Sequence, residues 1–397
     1  MSTAAATLRR WALLACMAVL SGCQRAPSER VSTQPDAEAP IAAGRLSVLR
    51  TGARNEGFAQ ALQPRAFEFP ADFGPHPQYR HEWWYLTGQL HAKSGQDFGF
   101  ELTFFRLALA AGTAAIGPDT SRWRTRQIYA AHFALTDIGA RRFKFAQRYA
   151  RDALGLAGAQ AAPFRVWLDD WSLADAGTPA GSRLPSWTLT AVDQDASIAL
   201  HAQALTPPVL NGDRGLSIKA DEPGAASYYY SIPRMALEGR LVRDGRAFEV
   251  SGLAWLDREW GSGGLGSEEQ GWDWFGLDLG DGSALMFYAL RDRDGRRDAH
   301  SAGTWIGADG STRSLSSQEV RIDVLDEWAS PRGGRYPAHW RLGIPSLDVN
   351  LDVKPLLADQ ELDSRPRYWE GAVSVTGTRA ARPLGGQGYV ELVGYAR

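Results

Sequence analysis

The chain has 397 residues and a formal net charge of -2, with 43 Lys and Arg against 45 Asp and Glu and no basic block, so nucleic acid is not an expected partner. Its two cysteines, Cys16 and Cys23, both lie near the N-terminus, which leaves the body of the chain without a disulfide, a thiol nucleophile or a Cys-ligated zinc. Stability must come from apolar burial, and the length suffices for one or two cores.

Arg9 and Arg10 precede an apolar run from Trp11 to Leu20, followed by Ser21, Gly22 and Cys23. A basic start, a short apolar run and small residues predict a secretion signal over residues 1–22, too short to span a bilayer as a mature helix. Leu20-Ser21-Gly22-Cys23 resembles the bacterial lipobox, which predicts lipidation of Cys23. Gln24 after it points to the outer membrane, periplasmic face. The alternative is an ordinary signal with a chance Cys. Residues 23–60, with Pro27, Pro35, Pro40 and several Ala, read as a flexible tether. No later segment is long and apolar enough to cross a membrane as a helix.

From Trp83 onward apolar and polar residues alternate with period two between turn residues, which predicts strands. WWYLTGQLHA (83–92) and FGFELTFFRLAL (98–109) flank Lys93-Ser94-Gly95-Gln96 as a hairpin. SWTLTAV (186–192) and ASIALHA (196–202) flank a second turn. WDWFGLDL (272–279) and SALMFYALRD (283–292) flank Gly280-Asp281-Gly282. Residues 150–162, rich in Ala, Leu and Gly, fit a short helix or a loop. Three blocks recur in the same order: 83–109 in 272–292, 186–208 in 339–357, and 228–255 in 368–396. Duplication predicts an all-β chain of two consecutive antiparallel barrels, at 61–240 and 241–397. Each would have about eight to ten strands and room for a small ligand.

Two stretches concentrate chemistry. In RHEWWYLTGQL (80–90), a strand puts His81, Trp83 and Tyr85 on one face and Glu82, Trp84 and Leu86 on the other. His-Glu-x-x-Tyr is not the zinc-protease pattern, since Tyr85 stands where the second His must be, so no metal site is expected. A ligand-lining wall and a plain aromatic core strand remain equally good readings. In AWLDREWG (254–261), Trp255, Asp257 and Glu259 share a face opposite Arg258 and Trp260. Acids beside tryptophans are costly unless paired or protonated. They make either a salt bridge stapling the two domains or a carboxylic acid facing an aromatic cavity. Gly261-x-Gly263-x-x-Gly266 matches a dinucleotide fingerprint only formally, because no βαβ pattern surrounds it; it reads as a lid loop. His132, His201 and His339 are isolated and read as surface or core residues.

His81-Glu82-Trp83-Trp84-Tyr85, followed by Gly88 and Leu90, resembles the N-terminal signature of AttH-like proteins, which group with hydroxyneurosporene synthase, the carotenoid 1,2-hydratase. Trp255-x-Asp257-x-Glu259-Trp260-Gly261, then Trp272-x-Trp274, is similar to the second signature of that group. The resemblance runs from residue 61 to the end and implies two lipocalin-like barrels. It also implies mixed chemistry: water addition to the terminal alkene of an acyclic carotene, or pericyclic ring closure. Family genes lie beside ABC transporters of the lipoprotein-export type. One position departs: Arg258 stands where such proteins often have His, and Arg stays protonated and cannot act as a general acid near neutral pH.

Two functions of different class follow. The first is an envelope lipoprotein that holds an apolar, isoprenoid- or lipid-like ligand in an aromatic-lined barrel, serving a transporter. The second is a cofactor-free hydratase or cyclase, with Asp257 as proton donor and Glu259 or His81 as water base. The expected ligand wall comprises Glu82, Trp83, Trp84, Tyr85, Trp255, Arg258, Trp260, Trp272, Asp273, Trp274 and Tyr288. The lipobox and Arg258 tilt the sequence reading toward binding.

Overall fold

The computed structural model describes residues 55–112, 125–177, 184–266 and 268–396. The expected signal, Cys23 and most of the tether lie outside the described residues. Among the described residues the alternation forms strands, and the only helical segments are two 3-10 turns, at Ala71–Phe73 and Pro345–Leu347.

The first sheet holds β1 (His81–Ala92), β2 (Asp97–Ala108), β3 (Gln127–Asp137), β4 (Arg142–Arg151), β5 (Ala157–Ala161), β6 (Phe164–Leu168) and β7 (Trp171–Asp175). It continues with β8 (Ser186–Val192), β9 (Ala196–Ala204), β10 (Val209–Leu210), β11 (Leu216–Ile218), β12 (Ala226–Arg243) and β13 (Arg246–Gly261). The second sheet holds β14 (Glu269–Asp278), β15 (Ala284–Asp292), β16 (Ala302–Ile306), β17 (Thr312–Ser316) and β18 (Arg321–Ala329). Then come β19 (Arg335–Ile344), β20 (Val349–Pro355), β21 (Glu361–Leu362), β22 (Tyr368–Arg379) and β23 (Arg382–Leu392).

The two sheets repeat one topology. The first, of 13 strands, runs β4-β3-β2-β1-β13-β12-β9-β8-β7-β6-β5, with β10 and β11 on β12. The second, of 10 strands, runs β17-β16-β15-β14-β23-β22-β20-β19-β18, with β21 on β22. The three repeated sequence blocks fall on corresponding hairpins: β1–β2 on β14–β15, β8–β9 on β19–β20, and β12–β13 on β22–β23. Both sheets are antiparallel and curl into barrels.

Three details differ from the expectation. The break between sheets falls between Gly261 and Glu269, not at 240/241. Asp244 and Gly245, both at positive φ, make a two-residue hairpin turn that returns β13 into the first sheet. Residues 150–162 are neither helix nor plain loop, because β4 ends at Arg151 and β5 begins at Ala157. The strands β5 to β7 extend the first sheet beyond the expected count.

Each barrel fills its own interior. Trp84, Trp171, Trp187 and Trp260 are buried in the first core, with Leu86 and Leu90 of β1 beside them. Trp340, Trp369, Phe275 and Leu277 occupy the second. Each such side chain contributes roughly 1.5–3 kcal/mol of burial. Large apolar side chains thus occupy the barrel interiors where the sequence reading placed a ligand. A third apolar cluster joins the outer faces of the two sheets, with Tyr85, Tyr229 and Trp255 from the first and Trp274, Met286 and Tyr389 from the second. Hydrogen bonds cross the same seam. Gln89 Nε2 donates to Val373 O at 2.8 Å, and Thr136 Oγ1 to Gln360 Oε1 at 2.8 Å.

The barrels touch closely at Gly99, where a Cβ would lie 2.6 Å from the Tyr389 hydroxyl and 2.8 Å from Ala372 Cβ. Gly99→Val should wedge the seam and lower unfolding free energy by about 1–3 kcal/mol in urea titrations. Gly385→Ala, at a site open on all sides, should be close to neutral. Equal stability of both variants would contradict the packed seam.

Candidate active site

A cavity of about 340 Å³ lies at this seam, between the outward faces of the two barrels. Strand alternation decides what reaches it. From β1 come His81, Trp83 and Tyr85, from β13 Asp257 and Glu259, and from β12 Tyr229. From the second barrel come Trp272, Trp274, Tyr288, Tyr368, Glu370 and Glu391. Gly263, Gly264 and Leu265 of the loop between the sheets border it, as do Arg365 and Pro366.

The opposite faces of the same strands turn inward and leave the cavity. Glu82 lies in the first barrel between Arg106 and Arg258, which both donate to it. Burial works against this carboxylate, but the two guanidiniums outweigh burial and hold its pKa well below the usual range. Arg258 also donates to Gly74 O at 2.6 Å and stacks 3.9 Å over the Trp84 ring. Trp260 stacks on His76, ring centroids 3.8 Å apart. Asp273 faces the second barrel, paired with Arg291 at 2.9 Å and accepting from the Tyr395 hydroxyl at 3.0 Å. Glu82, Trp84, Arg258, Trp260 and Asp273 are thus corrected from ligand wall to barrel interior.

Asp257 is held in place by three donors. Ser231 Oγ donates to Oδ1 at 2.5 Å, Trp255 Nε1 to Oδ1 at 2.6 Å, and the Tyr229 hydroxyl to Oδ2. Trp255 therefore backs the acid rather than lining the cavity. Trp274 Nε1 donates in turn to the Tyr229 hydroxyl at 3.0 Å. Burial pushes the Asp257 carboxyl up to about 7 against these three hydrogen bonds, with Glu259 adding to the rise. Glu259 accepts from Ser227 and meets Lys219 Nζ at 3.4 Å. Burial disfavours the Lys219 ammonium, but Glu259 and Tyr288 more than compensate and raise its pKa. Its Nζ sits 3.8 Å over the Tyr288 ring. His81 is buried and pushed down to about 3, by burial first and then by Arg80 and Arg106, so it stays neutral. Among the described residues Asp257 forms no ion pair, so the domain-stapling alternative is not seen there.

The second barrel supplies a counterpart that the sequence reading missed. Register sets Tyr85, Asp257 and Ser231 in one row across β1, β13 and β12. It sets Trp274, Glu391 and Glu370 in the matching row across β14, β23 and β22. Burial pushes Glu391 up to about 7, with Asp257 among the charges that add to the rise. Glu370 is raised well above its ordinary value by burial, then by Glu101 and Glu391. Glu101, on the outward face of β2, is raised to about 8 by burial, with Glu391 adding to it. Among the described residues, both carboxyl oxygens of Glu370, the Tyr85 hydroxyl and His81 Nδ1 are buried without a hydrogen bond of normal length, although the Tyr85 and Tyr368 hydroxyls approach Glu370. Each such orphan costs about 1–3 kcal/mol until something satisfies it. His132, read as an isolated residue, also lines the cavity, with Nδ1 2.8 Å from the Tyr368 hydroxyl. His339 pairs with Asp352 and His201 contacts Ser186, both away from the cavity. Among the described residues no three His, Cys, Asp or Glu side chains are grouped to hold a metal ion.

A family model described as AttH-like matches residues 60–395. The crystal structure of an AttH-assigned protein from Nitrosomonas europaea has 35% identity and a TM-score of 0.75, covering 86% of this chain and 100% of that one. Kievitone hydratase from Nectria haematococca shares the fold at 16% identity and a TM-score of 0.63, covering 86% of this chain and 97% of that one. The dehydratase asqC of Emericella nidulans is 26% identical over 221 residues, 49% of this chain and 57% of that protein. The chain thus matches little more than half the length of this curated relative.

The neutral carboxyls give stability a pH dependence. Glu101, raised to about 8, holds its proton in the folded chain to a higher pH than in the unfolded chain. Its burial is therefore least costly below the ordinary carboxylate range. Stability then falls as pH rises toward about 8, by up to about 1.4 kcal/mol per pH unit for each such group. Glu101→Gln removes one proton from that balance and should flatten the fall, seen by urea unfolding across that range. An unchanged slope would mean that Glu101 is ionised when folded.

Proposed function

The chain belongs to the AttH-like family, and from the geometry of its inter-barrel cavity we propose that it is a hydro-lyase. It would add water to, or remove water from, an apolar unsaturated ligand, with Asp257 moving the proton. The observation that carries this reading is the Asp257 carboxyl itself. It is buried at an aromatic wall, oriented by three donors, and raised to about 7, where it can both take and give a proton near neutral pH. The similarity to a dehydratase over half of the chain supports the same reaction class.

The roles separate by environment. Trp83, Trp272, Trp274 and Tyr288 form the apolar wall that seats the ligand and excludes water. Tyr229 links Asp257 to Trp274 and fixes which carboxyl oxygen faces the reacting carbon. Neutral His81 is too weak a base to take a proton from water; its free Nδ1 positions water or a hydroxyl. Glu259 is engaged by Lys219 and Ser227 and holds that ammonium at the cavity wall. A carrier, the reading toward which the sequence tilted, needs only a dry pocket. Burying Asp257, Glu370 and Glu391 around one would cost stability without aiding retention of a hydrocarbon.

Asp257→Asn keeps the shape and loses the proton. Turnover should fall about 10²–10⁴-fold, with ligand affinity within a few-fold and no loss of melting temperature. The assay incubates the full chain with apolar alkenes and alcohols and follows gain or loss of one water by mass spectrometry. Undiminished turnover in Asp257→Asn would remove Asp257 from the mechanism.

We also propose a lipid anchor at Cys23, an outer-membrane site facing the periplasm, and a lipoprotein-export-type ABC transporter as partner. The anchor and its location rest on Leu20-Ser21-Gly22-Cys23 and Gln24, and the transporter on the family resemblance. Cys23→Ser should move the chain from the membrane pellet to the soluble fraction and abolish labelling by a fatty-acid analogue. Continued sedimentation with membranes would defeat the anchor.

A further inference from the structure

Building on the hydro-lyase reading, we infer that the ligand carries a carbonyl conjugated to the reacting carbons, and that the Glu370–Glu391 pair receives the carbonyl oxygen. The ligand is then an enone in one direction and a β-hydroxy carbonyl in the other.

Three observations converge on this. First, the cavity wall holds buried polar atoms that lack a hydrogen bond of normal length and that a hydrocarbon cannot satisfy: both Glu370 carboxyl oxygens and the neighbouring Tyr85 hydroxyl, in residues 2% and 7% exposed. A carbonyl oxygen accepts from a protonated Glu370 and from Tyr85 at once. Second, Asp257 of the first barrel and Glu370 of the second have opposite surroundings. Asp257 receives three donors, which suits a carboxylate. Glu370 has no hydrogen bond of normal length, with only the Tyr85 and Tyr368 hydroxyls approaching it, and it is crowded by Glu101 and Glu391, which suits a neutral acid that donates. A carboxylate base facing a neutral carboxylic acid is the arrangement that enolate chemistry uses. Third, a carboxyl titrating near neutrality is a weak acid for an isolated alkene, whose protonation must generate a carbocation. It is well matched to a C–H made acidic by an adjacent carbonyl.

The reaction balances on these groups alone. In the dehydrating direction the Asp257 carboxylate takes the α-proton. The C–H electron pair moves toward the carbonyl, whose oxygen takes the negative charge under the O–H donors of Glu370 and Glu391. The enolate pair then returns, forms the Cα=Cβ bond and expels the β-hydroxyl. That hydroxyl leaves as water with the proton carried by Asp257, which is again a carboxylate. Hydration is the reverse. Glu101 touches no ligand; it shares a buried carboxyl cluster with Glu370 and Glu391, in which more than one negative charge is disfavoured.

The test gives the full chain benzylideneacetone, its β-hydroxy ketone water adduct, and prenylbenzene, whose alkene is isolated. The expected result is interconversion of the first two above the protein-free background, with deuterium entering the α-carbon in deuterium oxide, and no change in prenylbenzene. Glu370→Met and Glu391→Met should each lower kcat/KM for the enone about 10²–10³-fold without lowering melting temperature. Glu370→Gln, whose amide still donates, should recover part of the loss. Water adding to prenylbenzene but not to benzylideneacetone overturns this inference and leaves the hydro-lyase reading standing. Enone turnover that both Met variants retain also overturns it. No reaction with any of the three would sink both readings.

Discussion

Between Arg106 and Arg258 the Glu82 carboxylate sits wholly inside the first barrel, and the arrangement of the site follows from that position. The three residues come from β1, β2 and β13, so the charge cluster fixes those strands in one register. A slip of one residue would turn every side chain to the other face. Such a cluster is not required for stability in general, since well-packed apolar groups can replace it. Breaking it on one side is another matter, because a single unpaired charge would remain buried. With Glu82, Trp84, Arg258 and Trp260 committed inward, His81, Trp83, Tyr85, Asp257 and Glu259 must point outward, where the second barrel closes over them.

The same two strands thus carry carboxyls with opposite fates. Glu82 has two guanidiniums at contact distance and stays charged. Asp257, on the other face, has no cation in contact among the described residues and meets aromatic rings and hydroxyls instead. Burial dominates there, and the carboxyl titrates near neutrality. The repeated topology then supplies the second acid. The row Trp274–Glu391–Glu370 occupies in the second sheet the place that Tyr85–Asp257–Ser231 occupies in the first. Joining two barrels by equivalent outer faces brings carboxyls from both to a shared cavity, Asp257 and Glu259 from the first and Glu370 and Glu391 from the second. Neither barrel alone encloses the site.

How much of this was legible in the sequence depends on distance along the chain. Period-two alternation gave the strands, and it separated His81, Trp83 and Tyr85 from Glu82 and Trp84, because facing is a local property of a strand. The repeat blocks gave the topology. They also held the correct domain break, since the second copy ends with the block that matches 228–255. Placing the break at 240/241 cut through that block and ignored the Asp244-Gly245 turn within it. What was not legible was which face of each barrel stays apolar for its own core and which meets the other barrel. Glu391 in YVELVGYA looks like an ordinary exposed alternation, and Glu101 in FGFELTFF likewise. Only the closure of one sheet over the other buries them. Mapping Asp257 through the repeat onto Glu391 was the one signal that could have revealed the pair.

Arg258 weighed against catalysis in the sequence because a permanently protonated side chain stood where relatives often carry His. Its position removes that objection. The side chain is fully buried in the first barrel, bonded to Glu82, Gly74 O and the face of Trp84, and no part of it lines the cavity. A residue at that place in the alternation acts on the reaction only through the register it enforces, whatever its pKa. The chemistry must be sought on the outward face of β13. There the proton-transferring group is Asp257, and what sets its strength is the closure of the second barrel over it.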